Sequence, residues 1–163
     1  MMPATVAAYN VVPIKPVGAS KIESKWPAFC QPTASPTLKD HFIKRNGLEF
    51  AGTHLLVDLW GASHLDDLDL MENTLRSAVK AAAATLLHIH LHHFTPQGGI
   101  SGVAVLAESH ISVHTWPERR FAAFDVFMCG DSKPEKAVTI IKNVFQPEQI
   151  LVHENLRGVV GND

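Results

Sequence analysis

The residues able to do chemistry crowd the middle of the chain. Glu108-Ser109-His110 breaks an otherwise apolar stretch, His114-Thr115-Trp116-Pro117-Glu118 follows, and Cys129-Gly130-Asp131 ends the next apolar run. A plain sheet core has no use for Glu, Ser and His between two buried strands, so such groups need partners or a task. A serine, a histidine and a cysteine invite nucleophilic catalysis. No G-x-S-x-G elbow surrounds Ser109 or Ser101, however, and the glycine-rich dinucleotide and phosphate loops are both missing. On position alone Cys129 reads equally as a small buried apolar residue. The chain holds 10 histidines, and His88, His90 and His92 recur at spacing two, which on a strand puts three imidazoles on one face. With His93 or a carboxylate they could hold zinc. Same-face neighbours on one strand rarely converge on a tetrahedral centre, so a polar face at an interface or cleft is the plainer reading, and no metal is predicted.

The elements that must position these groups follow from hydrophobic period and turn chemistry. Residues 53–60 (THLLVDLW) read as a strand. Residues 65–84 read as an amphipathic helix, with Leu65, Leu68, Met71, Leu75, Ala78, Val79 and Ala82 recurring at three and four. Ser63 is the expected N-cap, and Asp66 and Asp67 suit the positive end of the helix dipole. Residues 85–94 alternate like a strand, 96–99 (PQGG) form a turn, and 101–107, 111–116 and 121–129 are apolar strands. Residues 133–145 form a second helix with Pro134 in its first turn, and 149–154 a last strand. The order β-α-β-β-β-β-α-β argues for one sheet with helices on one face. Two helices leave the other face needing cover, which a second protomer could supply.

Composition sets the frame. The chain has 163 residues, 46% hydrophobic and 18% charged, enough for one domain with a real core. A net charge of −2 offers no basic surplus for nucleic acid or an anionic membrane. No apolar run approaches the roughly 20 residues of a membrane-spanning helix, and the first residues lack the charged-then-apolar order of a secretory signal. The two cysteines, Cys30 and Cys129, are too few for a disulfide framework, which fits a reducing, cytoplasmic location. Six of the ten prolines fall within the first 36 residues, so residues 1–45 are expected to be an extended or poorly ordered extension and 46–163 the folded domain. Trp26 and Phe29 are apolar anchors by which the extension could dock on its own body or a partner.

Taken together, Glu108-Ser109-His110, His114 through Glu118, and Phe127-Met128-Cys129-Gly130 resemble the bacterial and archaeal S-adenosylmethionine decarboxylase proenzymes. Gly52-Thr53-His54-Leu55-Leu56-Val57-Asp58 and Gly98-Gly99-Ile100-Ser101-Gly102 fit the same pattern, so the likeness runs from about Gly47 to about Gly158. The resemblance implies a two-layer α/β sandwich of an antiparallel sheet and helices (an α+β fold), assembled as a homodimer with active sites built from both subunits. It also implies self-cleavage. Ser109 Oγ attacks the carbonyl carbon of Glu108, an ester replaces the amide, and β-elimination leaves a pyruvoyl group at residue 109. The products would be chains 1–108 and 109–163. By the same resemblance His114 assists processing by proton transfer, Ser101 is a second processing residue, and Cys129 returns a proton to the substrate α-carbon. Glu118 would accept hydrogen bonds from the ribose hydroxyls, with Phe94 and His114 stacking on the adenine. Trp116 belongs to the same wall. For Trp116 simple core packing is the alternative, and for Glu118 a solvated strand end.

Physical need agrees with this chemistry. Loss of CO2 from an α-amino acid leaves a carbanion that water stabilises poorly, and a Schiff base to a carbonyl spreads the charge. Pyridoxal phosphate would need a lysine and a phosphate cradle, and no compelling phosphate loop is present. A pyruvoyl carbonyl conjugated to its own amide is a built-in sink, and burial at an apolar strand end would keep the Cys129 thiol protonated. The expected function is decarboxylation of S-adenosylmethionine, supplying the aminopropyl donor of spermidine synthesis. Two rivals stay open here. The same pyruvoyl site could act on arginine or ornithine, since a carboxylate such as Glu118 could also pair with a guanidinium or ammonium. A non-catalytic metal-binding or regulatory domain using His88, His90 and His92 is the other.

Overall fold

A computed structural model of the chain describes residues 41–96 and 98–160. Trp26, Phe29, Cys30 and most of the proline-rich extension lie outside them, as does Gln97 of the 96–99 turn. The described chain opens with a short hairpin, β1 (Ile43–Arg45) and β2 (Leu48–Phe50). It continues as β3 (Gly52–Trp60), α1 (Leu68–Ala81), β4 (Leu86–His93), β5 (Ile100–Leu106), β6 (Ser109–Trp116), β7 (Phe121–Met128), α2 (Pro134–Phe145) and β8 (Gln149–Arg157). Six strands make one sheet in the order β4-β5-β6-β7-β3-β8, and all five pairings are antiparallel. Among the described residues no helix is long and apolar enough to cross a membrane.

The alternation read from the sequence becomes two unlike sheet faces. On β7 the residues Ala122, Phe124, Val126 and Met128 are buried, while Phe121, Ala123, Asp125 and Phe127 are half-exposed. The buried set joins Leu55, Val57 and Leu59 of β3 and Ile111 and Val113 of β6 in one core. Both helices close over it. Met71, Thr74, Leu75, Ala78 and Val79 form the buried stripe of α1, and Ala137, Val138, Ile141 and Phe145 that of α2. The rings of Phe124 and Phe145 meet at 5.9 Å across sheet and helix. Truncating either buried ring to alanine should cost about 3–5 kcal/mol.

The predicted elements are present, with four differences, the first being that β6 starts at Ser109 rather than 111, so Ser109 and His110 belong to the strand and not to the connection before it. Helix α1 starts later than the apolar period suggests, because Asp67 rather than Ser63 caps it: Asp67 Oδ1 accepts from the Leu70 N–H at 2.9 Å. Ser63 instead donates both its N–H and its hydroxyl to the Phe145 carbonyl, satisfying the C-terminal end of α2. His64, with φ +59°, turns the chain between the two. The hairpin β1–β2 has no counterpart in the predicted order, and its first strand falls inside the stretch assigned to the extension. Arg45 ties it to the body through Glu154 of β8 at 2.6 Å, and Val160 donates to the Glu49 carbonyl at 2.8 Å. The last strand also runs on to Arg157, because every residue from Gln149 to Arg157 pairs with β3.

Candidate active site

Two of the three residue groups named above converge at one hairpin. Leu106 of β5 pairs with Ser109 of β6, so Ala107 and Glu108 alone make the turn. Glu108 has φ +62° and Ala107 is not left-handed. Two-residue hairpins prefer turns whose first or both central residues are left-handed, and glycine or asparagine normally fills such places. Here a glutamate holds that conformation at the second position, which costs roughly 1–2 kcal/mol. The strain sits on the residue whose carbonyl begins the bond to Ser109.

Cys129 follows directly on β7, whose Phe127 pairs with His110 of β6, so the register brings it beside the turn. The Ser109 hydroxyl, on a side chain among the buried residues, accepts from the Cys129 N–H at 3.2 Å and lies 3.5 Å from its sulfur. The thiol donates to the Glu108 carbonyl oxygen at 3.1 Å. One cysteine therefore touches both sides of the 108–109 peptide bond. A donor on a carbonyl oxygen stabilises the negative charge that develops there when a nucleophile adds to the carbon. This second contact of Cys129 is not legible in the sequence, where only its place at a strand end could be read.

The remaining predicted residues gather at the other end of β6. Ser101 pairs with both His92 and His114 across three strands, and Ser101 Oγ lies 2.8 Å from His114 Nδ1. Gly102 permits the close approach of β4, since a Cβ there would come within 2.3 Å of the His90 carbonyl oxygen. Below this pair stand the aromatic side chains. His92 and Phe94 meet edge to face at 4.5 Å, and Trp116 lies 5.3 Å from Phe121, which lies 4.3 Å from Trp60. Trp116 is 42% exposed, so core packing does not account for it. Glu118 is exposed on a single 3-10 turn, Pro117–Arg119. Buried Thr115 pins this end from beneath: its hydroxyl accepts from the Ile100 N–H at 2.7 Å and donates to the Leu65 carbonyl at 2.8 Å.

Within one chain the two ends do not meet. Ser109 and His114 are five strand residues apart, about 16–17 Å. They also fall on opposite faces: Ser109 shares the buried register with Ile111 and Val113, and His114 the outer register with His110, Ser112 and Trp116. The odd spacing of five carries that information in the sequence itself. The imidazoles of His88, His90 and His92 do stand on the outer face of β4, paired with Val105, Val103 and Ser101. Among the described residues no group of three or more His, Cys, Asp or Glu side chains is placed to hold a metal ion.

A polar network between the two ends escaped the sequence reading, because it depends on cross-strand register. Ser112 donates to Asp125 Oδ2 at 2.8 Å. Asp125 Oδ1 stands 3.4 Å from His54 Nε2, which is buried and not aligned for a hydrogen bond, while Arg157 approaches His54 Nδ1 at 3.2 Å. His110 lies beside them, its ring 6.2 Å from that of His54. Burial, and then the neighbouring His54, lower the His110 pKa below its ordinary 6.5, with Asp125 opposing.

Comparison with known proteins gives a consistent result. A family model described as S-adenosylmethionine decarboxylase matches residues 53–158. An S-adenosylmethionine decarboxylase proenzyme from Methanococcus vannielii is 48% identical over 112 residues, covering 67% of this chain and 91% of that protein. One from Thermomicrobium roseum is 42% identical over 110 residues, covering 67% and 95%. Among solved structures, the crystal structure of the adenosylmethionine decarboxylase from Aquifex aeolicus superposes with a TM-score of 0.64 at 38% identity, covering 70% of this chain and 96% of that one.

Proposed function

The chain belongs to the S-adenosylmethionine decarboxylase family, and from that premise we propose that it cuts itself between Glu108 and Ser109 and completes its active site across a homodimer. Its reaction is the decarboxylation of S-adenosylmethionine to S-adenosylmethioninamine and CO2. No observation favours arginine or ornithine as substrate.

The observation that carries the proposal is the hold of Cys129 on the 108–109 bond. Ser109 Oγ adds to the Glu108 carbonyl carbon while the thiol hydrogen-bonds the carbonyl oxygen. The amide nitrogen leaves with the hydroxyl proton, and an ester joins Glu108 to Ser109 Oγ. A left-handed glutamate turn is relieved when the bond breaks, so part of the strain drives the step. Loss of the Ser109 α-proton and departure of the Glu108 carboxylate leave dehydroalanine. Its tautomer takes up water and releases ammonia, giving the pyruvoyl group at residue 109.

The residues present fit such a group, because Ser109 lies 3.5 Å from a thiol at an apolar strand end. When formed, the group supplies the electron sink for loss of CO2. The Cys129 thiol then delivers the proton that the α-carbon requires. At the other end, Glu118 offers two acceptor oxygens to a vicinal diol. Phe94, His114 and Trp116 offer flat faces to adenine and a sulfonium, worth about 0.5–2 kcal/mol for the cation.

Two features support the homodimer. The outer sheet face carries Trp60, Val105 and Trp116 at 40–44% exposure in the single chain, with no helix of this chain to cover them. The Ser101–His114 pair also cannot reach its own Ser109. Packing of two such sheets through their outer faces would cover these rings and let groups of both subunits complete each site. The test is Ser109→Ala protein assayed for CO2 release from S-adenosylmethionine, arginine and ornithine beside the wild type. The expected result is release from S-adenosylmethionine by the wild type alone. Full turnover by Ser109→Ala would overturn the proposal.

A further inference from the structure

Resting on that reading of self-cleavage, we propose that His41 is a positioning residue for the cut: it draws the Glu108 carboxylate away from the peptide carbonyl that Ser109 attacks. His41 lies outside residues 53–158, the stretch that matches the family. It is held at the processing turn twice. Its carbonyl accepts from the Gly130 N–H at 3.1 Å, which fixes it to the corner just after Cys129. Its Nδ1 lies 3.3 Å from Glu108 Oε2. Gly130 itself is left-handed, φ +60°, which favours glycine at this corner, and the imidazole nitrogen lies in ordinary contact range of it.

The physical need is electrostatic. Attack on the Glu108 carbonyl carbon builds negative charge on its oxygen, one residue's backbone away from a carboxylate of the same residue. Oε2 also stands 3.9 Å from the Cys129 sulfur, as a rival acceptor for the thiol proton that the carbonyl oxygen holds at 3.1 Å. The imidazole 3.3 Å from Oε2 answers both problems. It disperses the carboxylate charge, and it keeps the thiol on the carbonyl. The contact is half-exposed, so its effect is smaller than that of a buried charge pair.

The experiment follows appearance of the 1–108 and 109–163 chains from freshly synthesised full-length protein by denaturing gel. His41→Ala should slow the cut about three- to tenfold, and His41→Gln, whose amide can still donate, should recover part of the rate. In a Glu108→Gln background the same His41→Ala change should alter the rate less than twofold, because its target is gone. A merely structural role would slow both backgrounds alike, and that result would overturn the proposal, as would His41→Ala cutting at the wild-type rate. Melting of the uncuttable Ser109→Ala chain with and without His41→Ala reports folding separately, and a shared midpoint assigns the rate loss to positioning. A collapsed midpoint would overturn it. Wild-type protein that never cuts would instead sink the parent reading.

Discussion

The two ends of β6 are built differently. At the Ser109 end a strained turn, a buried hydroxyl and a thiol reaching both sides of the bond lie within one chain. At the Glu118 end the groups are ordered but open, with Trp116 and Phe94 at 42% and 48% exposure. Local register alone assembles these three groups. A reaction on a diffusing substrate needs walls, and a single two-layer domain has used its helices on the other face.

The sharpest way to break this comparison is at Cys129, the residue proposed for both reactions. Cys129→Ala should lower kcat by about 10²–10⁴, the usual worth of a placed proton donor, and should also slow the cut, seen by gel. A loss of turnover with cutting untouched would confine Cys129 to the second reaction. Next comes complementation across subunits. Ser109→Ala and His114→Ala chains, each inactive alone, should regain about a quarter of wild-type activity when co-expressed in equal amounts, because half the dimers then hold one whole site. No recovery in verified mixed dimers would place both residues in one subunit's site.

A smaller effect belongs to the open end only. Glu118→Gln should raise KM for S-adenosylmethionine about tenfold or more with kcat little changed, since a charged acceptor is lost from ground and transition states alike. A fall in kcat at constant KM would move Glu118 from binding to chemistry. The smallest effect lies between the two ends. His110 has a lowered pKa, so as pH falls through 6.5 the unfolded chain takes up a proton that the folded chain resists. Stability should therefore fall from pH 7.5 to 5.5, and His110→Gln should flatten that slope in thermal melts. An unchanged slope would remove His110 from the account.

Much of this was legible in the residues. The period-two runs and the three-and-four repeat located every strand of the main sheet and both helices, because each element buries one face against one core. The Glu108–Glu118 block with Cys129 pointed to the family. Three things were hidden for physical reasons. The β1–β2 hairpin has three-residue strands, too short to carry a period. The cap of α1 had several polar candidates within one turn, and tertiary demand sent Ser63 to the end of α2 instead. The Asp125–Ser112–His54 network and the reach of His41 to Glu108 join residues far apart in the chain, through registers that only the folded sheet defines.

The most direct test of the central claim is the intact mass of the purified protein after maturation. The account predicts two chains, 1–108 ending in a normal carboxylate and 109–163 beginning with a keto-capped, amine-free residue that reacts with hydrazines. A single chain of full length with an ordinary serine at position 109, in protein that releases CO2 from S-adenosylmethionine, would contradict it.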